Sequence, residues 1–300
     1  LVACCERIAA TAERDGSGYT ATMTIDPDAF MAEMPTPADA APSGTDEKPV
    51  PDHVAIVGLG PTCAVFFELT RRYGGVSAYC DEVWGINALG DVLCCDRVFH
   101  MDDVRTQERR AAAQPNTNIA AMLRWLKTHK GPIYTSIPHK DYPGTVAFPL
   151  EAVLNATSDA NGGAPYFNST AAYAIALAVH LGVRRISLFG LDYTLQNAHR
   201  AEQGRACCEF WLGVAAARGI EIAVPSQTSL LDACTDPRDR LYGYDFVDVS
   251  LDEDDTGRLT VSMTERADPP SAAEFEHRYD HSRHTNPMMR AADRPPPPKA

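Results

Sequence analysis

Short apolar stretches alternate with longer amphipathic or alanine-rich stretches through the middle of the chain, from about residue 53 to residue 250. Short apolar runs bounded by turn residues are typical of buried strands, and the longer stretches have helical spacing. The alternation predicts a doubly wound α/β fold, Rossmann-like, with a mostly parallel sheet and helices on both faces. The predicted strands are Val54–Val57, Glu82–Ile86, Arg97–Met101, Ile133–Ser136, Arg185–Phe189 and Glu221–Val224, and the predicted helices are Thr62–Tyr73, Asn118–His129, Ser169–Leu181 and Ala201–Arg218.

The two ends of the chain differ from this core in composition. Residues 1–31 form an N-terminal extension, and residues 32–52 are a Pro- and Ala-rich linker with too little apolar surface to offset the entropy of ordering. From residue 251 to residue 300 the chain is acidic and then Pro-rich, which predicts a tail. We therefore expect one nucleotide-binding catalytic core, residues 53–250, flanked by largely disordered termini.

The charge and the cysteines narrow the choice of partners. The net charge is −13 and no block of Lys or Arg occurs, whereas proteins that bind nucleic-acid phosphates or anionic membranes usually carry a basic stripe. Direct nucleic-acid binding and membrane docking are therefore disfavoured. The nine cysteines contain no C-x-x-C pair, so a zinc ribbon is not supported and reduced, buried thiols of a cytoplasmic protein are expected.

The first predicted strand ends in the turn Gly-Leu-Gly-Pro-Thr, which contains Gly58, Gly60, Pro61 and Thr62. Glycines let a phosphate approach the backbone, and the following helix N-terminus offers unpaired N–H groups. The turn is not a P-loop, because the sequence G-x-x-x-x-G-K-[ST] is absent. It does not match the dinucleotide fingerprint either, because Cys63 stands where the third glycine is required. We interpret it as a cradle for a diphosphate or a nucleotide monophosphate; a purely structural tight turn is the alternative.

Polar residues also follow the later strands, at the edge where ligands bind in such folds. Asn87 follows the second strand and is either a ribose or base ligand or a turn residue. Asp102 and Asp103 follow the third strand, where paired acids either hold Mg²⁺ or cap a helix. Asp192 and Tyr193 follow the strand Arg185–Phe189 and place an acid and a phenol at the same edge.

A second polar cradle opens the alanine-rich helix. Asn168, Ser169 and Thr170 precede or begin this helix, and their side chains add to the free N–H groups of its first turn.

The order of these motifs resembles that of a known group of enzymes. G-x-G-P-[ST], a strand ending in Asn, a polar-capped helix and G-[IL]-D-[FY] follow one another between Val54 and Cys234, as in the bacterial sialyltransferases of glycosyltransferase family 42 and the related DUF115 proteins. In those sialyltransferases a His precedes a helix that contains Glu-Phe, and a Ser-Leu-Leu turn comes later. Here His199 precedes Glu209-Phe210, and the turn begins at Ser229.

The resemblance implies roles for individual residues. His199 would be the general base that deprotonates the acceptor hydroxyl, and Tyr193, beside Asp192, would lie near the departing phosphate. The residues expected to surround the nucleotide are Gly58, Gly60, Pro61, Thr62, Asn87, Asn168, Ser169 and Thr170. One departure affects the donor: Leu59 stands where the family commonly has an Asn, so CMP-sialic acid is not implied specifically.

The resemblance thus implies a metal-independent, inverting transfer from a nucleotide-sugar donor to the hydroxyl of an unidentified acceptor, with no further cofactor. The first alternative is a diphosphokinase of the DUF115 type, which would use ATP with Mg²⁺ held by Asp102, Asp103 or Asp192. The second is a non-catalytic nucleotide-binding or interaction module. The composition also resembles that of phage proteins with this core, which would place the protein in the cytoplasm of a bacterial host.

Overall fold

The computed structural model describes residues 49–115, 118–163, 165–193 and 198–278. The predicted N-terminal extension, the linker up to residue 48 and the end of the predicted tail from residue 279 lie outside these residues. The core contains, in chain order, β1 (His53–Val57), α1 (Cys63–Tyr73), β2 (Glu82–Ile86), β3 (Arg97–Phe99), α2 (Val104–Ala113), α3 (Asn118–Thr128), β4 (Ile133–Thr135), β5 (Thr145–Ala147), α4 (Leu150–Asn161), α5 (Thr170–Leu181), β6 (Arg185–Phe189), α6 (Ala198–Ala217) and β7 (Glu221–Ala223).

These strands form a seven-stranded sheet in the order β5-β4-β3-β2-β1-β6-β7, and every neighbouring pair is parallel. The chain leaves β1 toward β2 on one side and later returns to place β6 on the other side. The strand order therefore reverses between β1 and β6, and the loops that follow these two strands meet at the carboxyl edge. The predicted doubly wound α/β fold is confirmed.

The strands are apolar on both faces because helices cover both. In β1, Val54 and Ile56 point into the largest apolar cluster with α5 and α6, while Ala55 and Val57 point to the opposite cluster with α1. The Ala-rich sequence of α5 lets this helix approach the sheet closely, and Ala171 through Val179 are buried apart from Tyr173. None of the described helices is both long enough and apolar enough to cross a membrane.

The six predicted strands and four predicted helices are all present, with ends that differ by no more than three residues. Strand β5 and helices α2 and α4 were not predicted. The strand β5 has only three residues, and α2 reads Val-Arg-Thr-Gln-Glu-Arg-Arg-Ala-Ala-Ala, which has too few apolar positions to show a helical stripe.

Regular structure continues past residue 251, where the sequence analysis placed the start of the tail. Strands β8 (Val247–Glu253) and β9 (Leu259–Glu265) form an antiparallel hairpin, and α7 (Ala272–Arg278) follows. Arg266, at the end of the hairpin, is 6% exposed and donates hydrogen bonds to Asp248 (3.1 Å) and Asp239 (2.9 Å). This ion pairing joins the hairpin to the loop that precedes it.

Candidate functional site at the carboxyl edge of the sheet

The loops after β1 and β6 are bonded directly to each other. The Gly58 N–H donates to the Phe189 carbonyl (2.8 Å), and the Gly60 N–H donates to the Gly190 carbonyl (2.9 Å). A Cβ at Gly58 would lie 2.5 Å from the Gly190 carbonyl oxygen, and one at Gly60 would lie 2.5 Å from an Asp192 carboxylate oxygen. The glycines of the predicted phosphate turn are therefore required by the contact between two loops.

Thr62 and Asp192 complete this contact inside the protein. Asp192 accepts from the Thr62 N–H (2.9 Å) and from the Thr62 hydroxyl (2.6 Å), one bond on each carboxylate oxygen. The same hydroxyl accepts from the Gly190 N–H (2.8 Å). Thr62 is 2% exposed and Asp192 is 5% exposed, so these bonds are shielded from water. Asp192 thus positions the β6 loop, and we assign it no contact with a substrate.

This arrangement bears on the predicted nucleotide ligands Gly58, Gly60, Pro61 and Thr62. Pro61 has no N–H, and the N–H groups of the other three already donate to groups of the protein. The Asp192 carboxylate also provides the negative charge that the N-terminus of α1 favours. A phosphate on these same N–H groups would have to displace a buried carboxylate, so their role as direct ligands stays a prediction without geometric support.

The N-terminus of α5 lies at the same edge and is differently arranged. Its N-cap residue is Ser169, whose side chain caps no backbone N–H of the helix and instead lies 3.0 Å from the Tyr193 hydroxyl. Asn168 is exposed, and Ser169 and Thr170 are partly exposed. The three predicted residues of the second cradle are therefore together, reachable, and next to helix N–H groups that no described side chain caps.

Tyr193 connects α5 with α6. Its hydroxyl lies 3.0 Å from Ser169 Oγ and 2.9 Å from Cys208 Sγ, and its ring packs against Gly204, where a Cβ would lie 2.8 Å from the ring. Its backbone has φ 47°, a conformation that non-glycine residues seldom adopt. Burial raises the pKa of the phenol far above its ordinary value, so Tyr193 is neutral at any physiological pH.

Asn87 directly follows β2 and has an unusual conformation. Its φ is 53°, and its side-chain oxygen is buried without a hydrogen-bond partner among the described residues. A buried acceptor left unpaired costs roughly 1–3 kcal/mol. Such groups in a folded protein are commonly found where a ligand or water completes them. Asn87 is therefore the predicted ligand with the strongest independent support.

His100, which was not among the predicted site residues, directly follows β3. Because Ile86 pairs with Phe99, Asn87 and His100 occupy neighbouring positions on adjacent strands. His100 is 1% exposed, and neither ring nitrogen has a partner among the described residues. Burial lowers the pKa of the imidazole, which favours the neutral ring. The predicted strand Arg97–Met101 enclosed His100, whereas β3 ends at Phe99, so no signal in the sequence placed His100 at a strand end.

Two of the three acids proposed as magnesium ligands, Asp103 and Asp192, have other partners. Asp103 is the N-cap of α2: its oxygens accept from the Arg105 N–H (2.9 Å) and from the Arg105 guanidinium (2.6 and 3.0 Å). This pairing lowers the pKa of Asp103 to about 2. Asp102 and Asp103 line a small cavity of about 90 Å³ beyond β3 and β4. Within the described parts of the chain, no three His, Cys, Asp or Glu side chains are grouped so that they could hold a metal ion.

The last part of the predicted motif series converges on the β6 loop. Ser229 Oγ donates to the Asp192 carbonyl, and Glu209 accepts from the Leu231 N–H (2.8 Å) and from Arg205 (2.7 Å). The Ser-Leu-Leu turn and the Glu-Phe helix are therefore linked at this edge. His199 belongs to the first turn of α6, and its side chain lies outside what the structure describes.

Comparison with known proteins gave two kinds of result. No protein-family model matches the sequence, and no curated protein matches it either. Among solved structures, the chain is similar to the sialyltransferase CstII from Campylobacter jejuni in complex with the substrate analogue CMP-3FNeuAc: identity is 16%, coverage is 60% of this chain and 83% of that one, and the TM-score is 0.38. For the CstII complex with cytidine-5'-monophosphate, identity is 14%, coverage 77% and 98%, and the TM-score 0.35.

Proposed function

We propose that the protein transfers a glycosyl group from a nucleotide-sugar donor to an acceptor hydroxyl, with the donor bound at the carboxyl edge of the sheet. The observation that carries the proposal is Asn87, which combines a positive φ with a buried, unpaired side-chain oxygen at this edge. A ribose hydroxyl or a base amino group would supply the missing hydrogen bond. The motif series from Gly58 to Leu231, which resembles that of the family 42 sialyltransferases, supports the choice of reaction.

The donor phosphate is assigned to the N-terminus of α5. The N-terminus of α1 is occupied by the Asp192 carboxylate, whereas Ser169 leaves the first turn of α5 uncapped. Backbone N–H groups there, with the hydroxyls of Ser169 and Thr170, are suited to hold a phosphate. The neutral Tyr193 phenol would donate a hydrogen bond as negative charge develops on the departing phosphate.

His199 is proposed as the general base on the strength of the resemblance alone. An imidazole has an ordinary pKa near neutrality, so it can accept the proton of the acceptor hydroxyl while that oxygen attacks the anomeric carbon. The bond between the anomeric carbon and the phosphate oxygen breaks in the same step, which inverts the configuration.

The diphosphokinase alternative is less well supported. It requires several carboxylates that are free to hold Mg²⁺, but two of the three candidates are engaged: both oxygens of Asp192 accept from Thr62, and both oxygens of Asp103 accept from Arg105. We therefore derive no step through a metal ion. The non-catalytic alternative is tested by turnover.

The binding test compares the wild-type protein with Asn87→Gly in a thermal-shift screen of nucleotides and nucleotide sugars, with and without Mg²⁺. Glycine adopts φ 53° readily and removes the unpaired oxygen, so we expect Asn87→Gly to fold at least as stably as the wild type while losing about tenfold or more in donor affinity. A ligand present at 100 times its Kd for the wild-type protein raises the free energy of unfolding by about 2.7 kcal/mol. Equal donor affinity in the two proteins would remove Asn87 from the site, and stabilisation only by ATP with Mg²⁺ would favour the kinase.

The catalytic test is His199→Ala, assayed with the donor found in that screen. We expect unchanged donor affinity and a loss of roughly 10²–10⁴-fold in transfer. Glu202→Ala, an exposed position on the same helix, is the matched control and should retain activity. Full activity in His199→Ala would exclude its role as the base.

A further inference from the structure

The small cavity beyond β3 and β4 is separate from the groups assigned to the donor. It has a volume of about 90 Å³ and is lined by residues 102–105, which follow β3 and begin α2, and by residues 135–139 at the end of β4. A water molecule needs about 10–15 Å³ of such volume, so several hydroxyl-sized groups fit. The cavity can therefore hold part of a small polar molecule.

The polar groups that line this cavity differ in whether they are already engaged. Asp103 and Arg105 pair with each other at 2.6 Å. No described residue forms a hydrogen bond or an ion pair with the Asp102 carboxylate or the Ser136 hydroxyl, and both residues are exposed. The Nδ1 atom of His139 accepts from a backbone N–H (3.3 Å), so the neutral ring carries its proton on Nε2. The cavity thus offers an acceptor, a donor and a hydroxyl that can be either.

The end of β3 gives a second indication that a ligand completes this region. His100 donates its backbone N–H to the Tyr134 carbonyl (2.9 Å), so it lies where β3 and β4 lead into the two loops. Its ring is buried, and neither ring nitrogen has a partner among the described residues. Burial lowers the pKa of this imidazole, and the charge of the nearby Asp102 carboxylate partly opposes that effect. Unpaired buried groups of this kind are commonly completed by water or by a ligand.

The charge of the cavity favours a neutral ligand. Two carboxylates and one guanidinium line it, which leaves one unbalanced negative charge that would repel the phosphates of a donor. A sugar is neutral, and its hydroxyls can pair with Asp102, Ser136 and His139. Ile137, which is 63% exposed at the same cavity, can pack on the C–H groups of a sugar ring.

The position of the cavity suits an acceptor. Strand β3 lies beside β2, which ends directly before Asn87, and neighbouring strands are roughly 4.8 Å apart. The ring of Tyr173, in the first turn of α5, packs on Phe148 (5.0 Å between ring centroids), and Phe148 packs on Tyr134 of β4 (6.4 Å). The N-terminus of α5 is therefore near β4. Both groups assigned to the donor are thus next to strands whose loops line the cavity.

We propose that this cavity binds a neutral sugar that accepts the glycosyl group, with the Asp102 carboxylate accepting hydrogen bonds from its hydroxyls. The role of this sugar as acceptor rests on the proposed function, whereas sugar binding itself is testable without turnover. Asp102 would select among sugars, because charge-assisted hydrogen bonds favour hydroxyls that are placed to donate to its oxygens.

The binding test uses saturation-transfer difference NMR with the methyl glycosides of glucose, galactose, mannose and N-acetylglucosamine. Asp102→Asn removes the charge at a position with no described hydrogen-bond partner, and Glu151→Gln, exposed in the first turn of α4, is the matched control outside the cavity. We expect at least one glycoside to bind the wild type and Glu151→Gln equally, and Asp102→Asn about tenfold or more weakly. Ser136→Trp, which fills the cavity, should abolish the signal. No binding of any of these glycosides to the wild type, or wild-type affinity in Asp102→Asn and Ser136→Trp, would overturn the proposal.

Kinetics distinguish failure of this acceptor site from failure of the proposed function. With the donor found in the thermal-shift screen, Asp102→Asn should raise the KM for the bound glycoside about tenfold, and Glu151→Gln should leave it unchanged. Equal increases in the KM values for donor and glycoside would contradict an acceptor role for Asp102. Absence of both transfer and donor hydrolysis in the wild type would refute the proposed function, and the NMR result alone would then decide whether a sugar binds here. Loss of Mg²⁺-dependent ATP binding in Asp102→Asn, with unchanged glycoside affinity, would assign Asp102 to a metal ion and overturn the proposal.

Discussion

Replacement of Thr62 by Val is expected to destabilise the protein strongly, although it changes one hydroxyl to a methyl group. The Thr62 hydroxyl donates to the Asp192 carboxylate at 2.6 Å and accepts from the Gly190 N–H at 2.8 Å. Valine has nearly the same shape, so no cavity forms. The substitution instead removes one bond to a buried charge and leaves a buried N–H without its acceptor.

The size of the effect follows from these two losses. A hydrogen bond to a charged group contributes roughly 1.5–3 kcal/mol, and an unsatisfied buried polar group costs roughly 1–3 kcal/mol. Both losses occur where Thr62 and Asp192 are at most 5% exposed, so water does not readily replace the hydroxyl. We expect Thr62→Val to lower the free energy of unfolding by about 3–5 kcal/mol, a large share of the roughly 5–15 kcal/mol typical of a domain.

Urea denaturation of Thr62→Val, Thr62→Ser and Thr70→Val tests this reasoning. Serine keeps the hydroxyl and should cost only about 1 kcal/mol for the lost methyl group. Thr70 is also buried on α1, but its hydroxyl donates only to carbonyls of its own helix, so Thr70→Val should cost less than about 1 kcal/mol. If Thr62→Val costs no more than Thr70→Val, the bonds to Asp192 and Gly190 do not hold the two loops together.

Two further predictions concern the same sheet. His53 Nε2 lies 2.8 Å from Ser187 Oγ, and burial together with Arg185 lowers the pKa of His53 from 6.5 to about 4. Protonation of His53 therefore favours the unfolded chain. The contribution of His53 to the free energy of unfolding is fully present above pH 6.5 and is lost as the pH falls toward 4, by up to about 3 kcal/mol. His53→Gln should flatten that part of the pH profile of unfolding. Gly60→Ala should lower the free energy of unfolding in urea by about 2 kcal/mol or more, because its Cβ would lie 2.5 Å from Asp192 Oδ2 and 2.8 Å from the Gly190 carbonyl oxygen. The control is Gly213→Ala, which is exposed on α6 with open space around its Cβ and should be neutral or stabilising. A flat pH profile in the wild type, or equal costs for the two alanines, would contradict these predictions.

The sheet could be predicted because its strands are buried on both faces. The run Val54–Val57 is entirely apolar and Arg185–Phe189 contributes Ile186, Leu188 and Phe189, a pattern that does not depend on distant parts of the chain. Prediction of the strand Glu82–Ile86 also placed Asn87 at the carboxyl edge of the sheet, because Asn87 is the first residue after that strand. Its unpaired oxygen could not be predicted, because pairing depends on every neighbour in space.

The contact between Thr62 and Asp192 could not be predicted from either segment. The two residues are 130 positions apart, and each has a sufficient local explanation, one as a helix N-cap and the other as a polar residue at the sheet edge. The β8–β9 hairpin was missed for a different reason. Its period-2 pattern is present in the sequence, but the acids among its polar positions gave residues 251–255 the composition of a disordered tail.

The bonded loops also determine where an anion can bind. An internal carboxylate occupies the N-terminus of α1, so a phosphate placed there would meet a like charge in a poorly hydrated environment. At the N-terminus of α5 the N-cap side chain of Ser169 contacts the neutral phenol of Tyr193 and the Cys208 thiol, and neither of these is a carboxylate. Because Tyr193 directly follows Asp192, the bonds from Thr62 hold that phenol beside α5. Under the proposed function, Thr62→Val should therefore weaken nucleotide binding by shifting Tyr193, without Thr62 itself contacting the nucleotide.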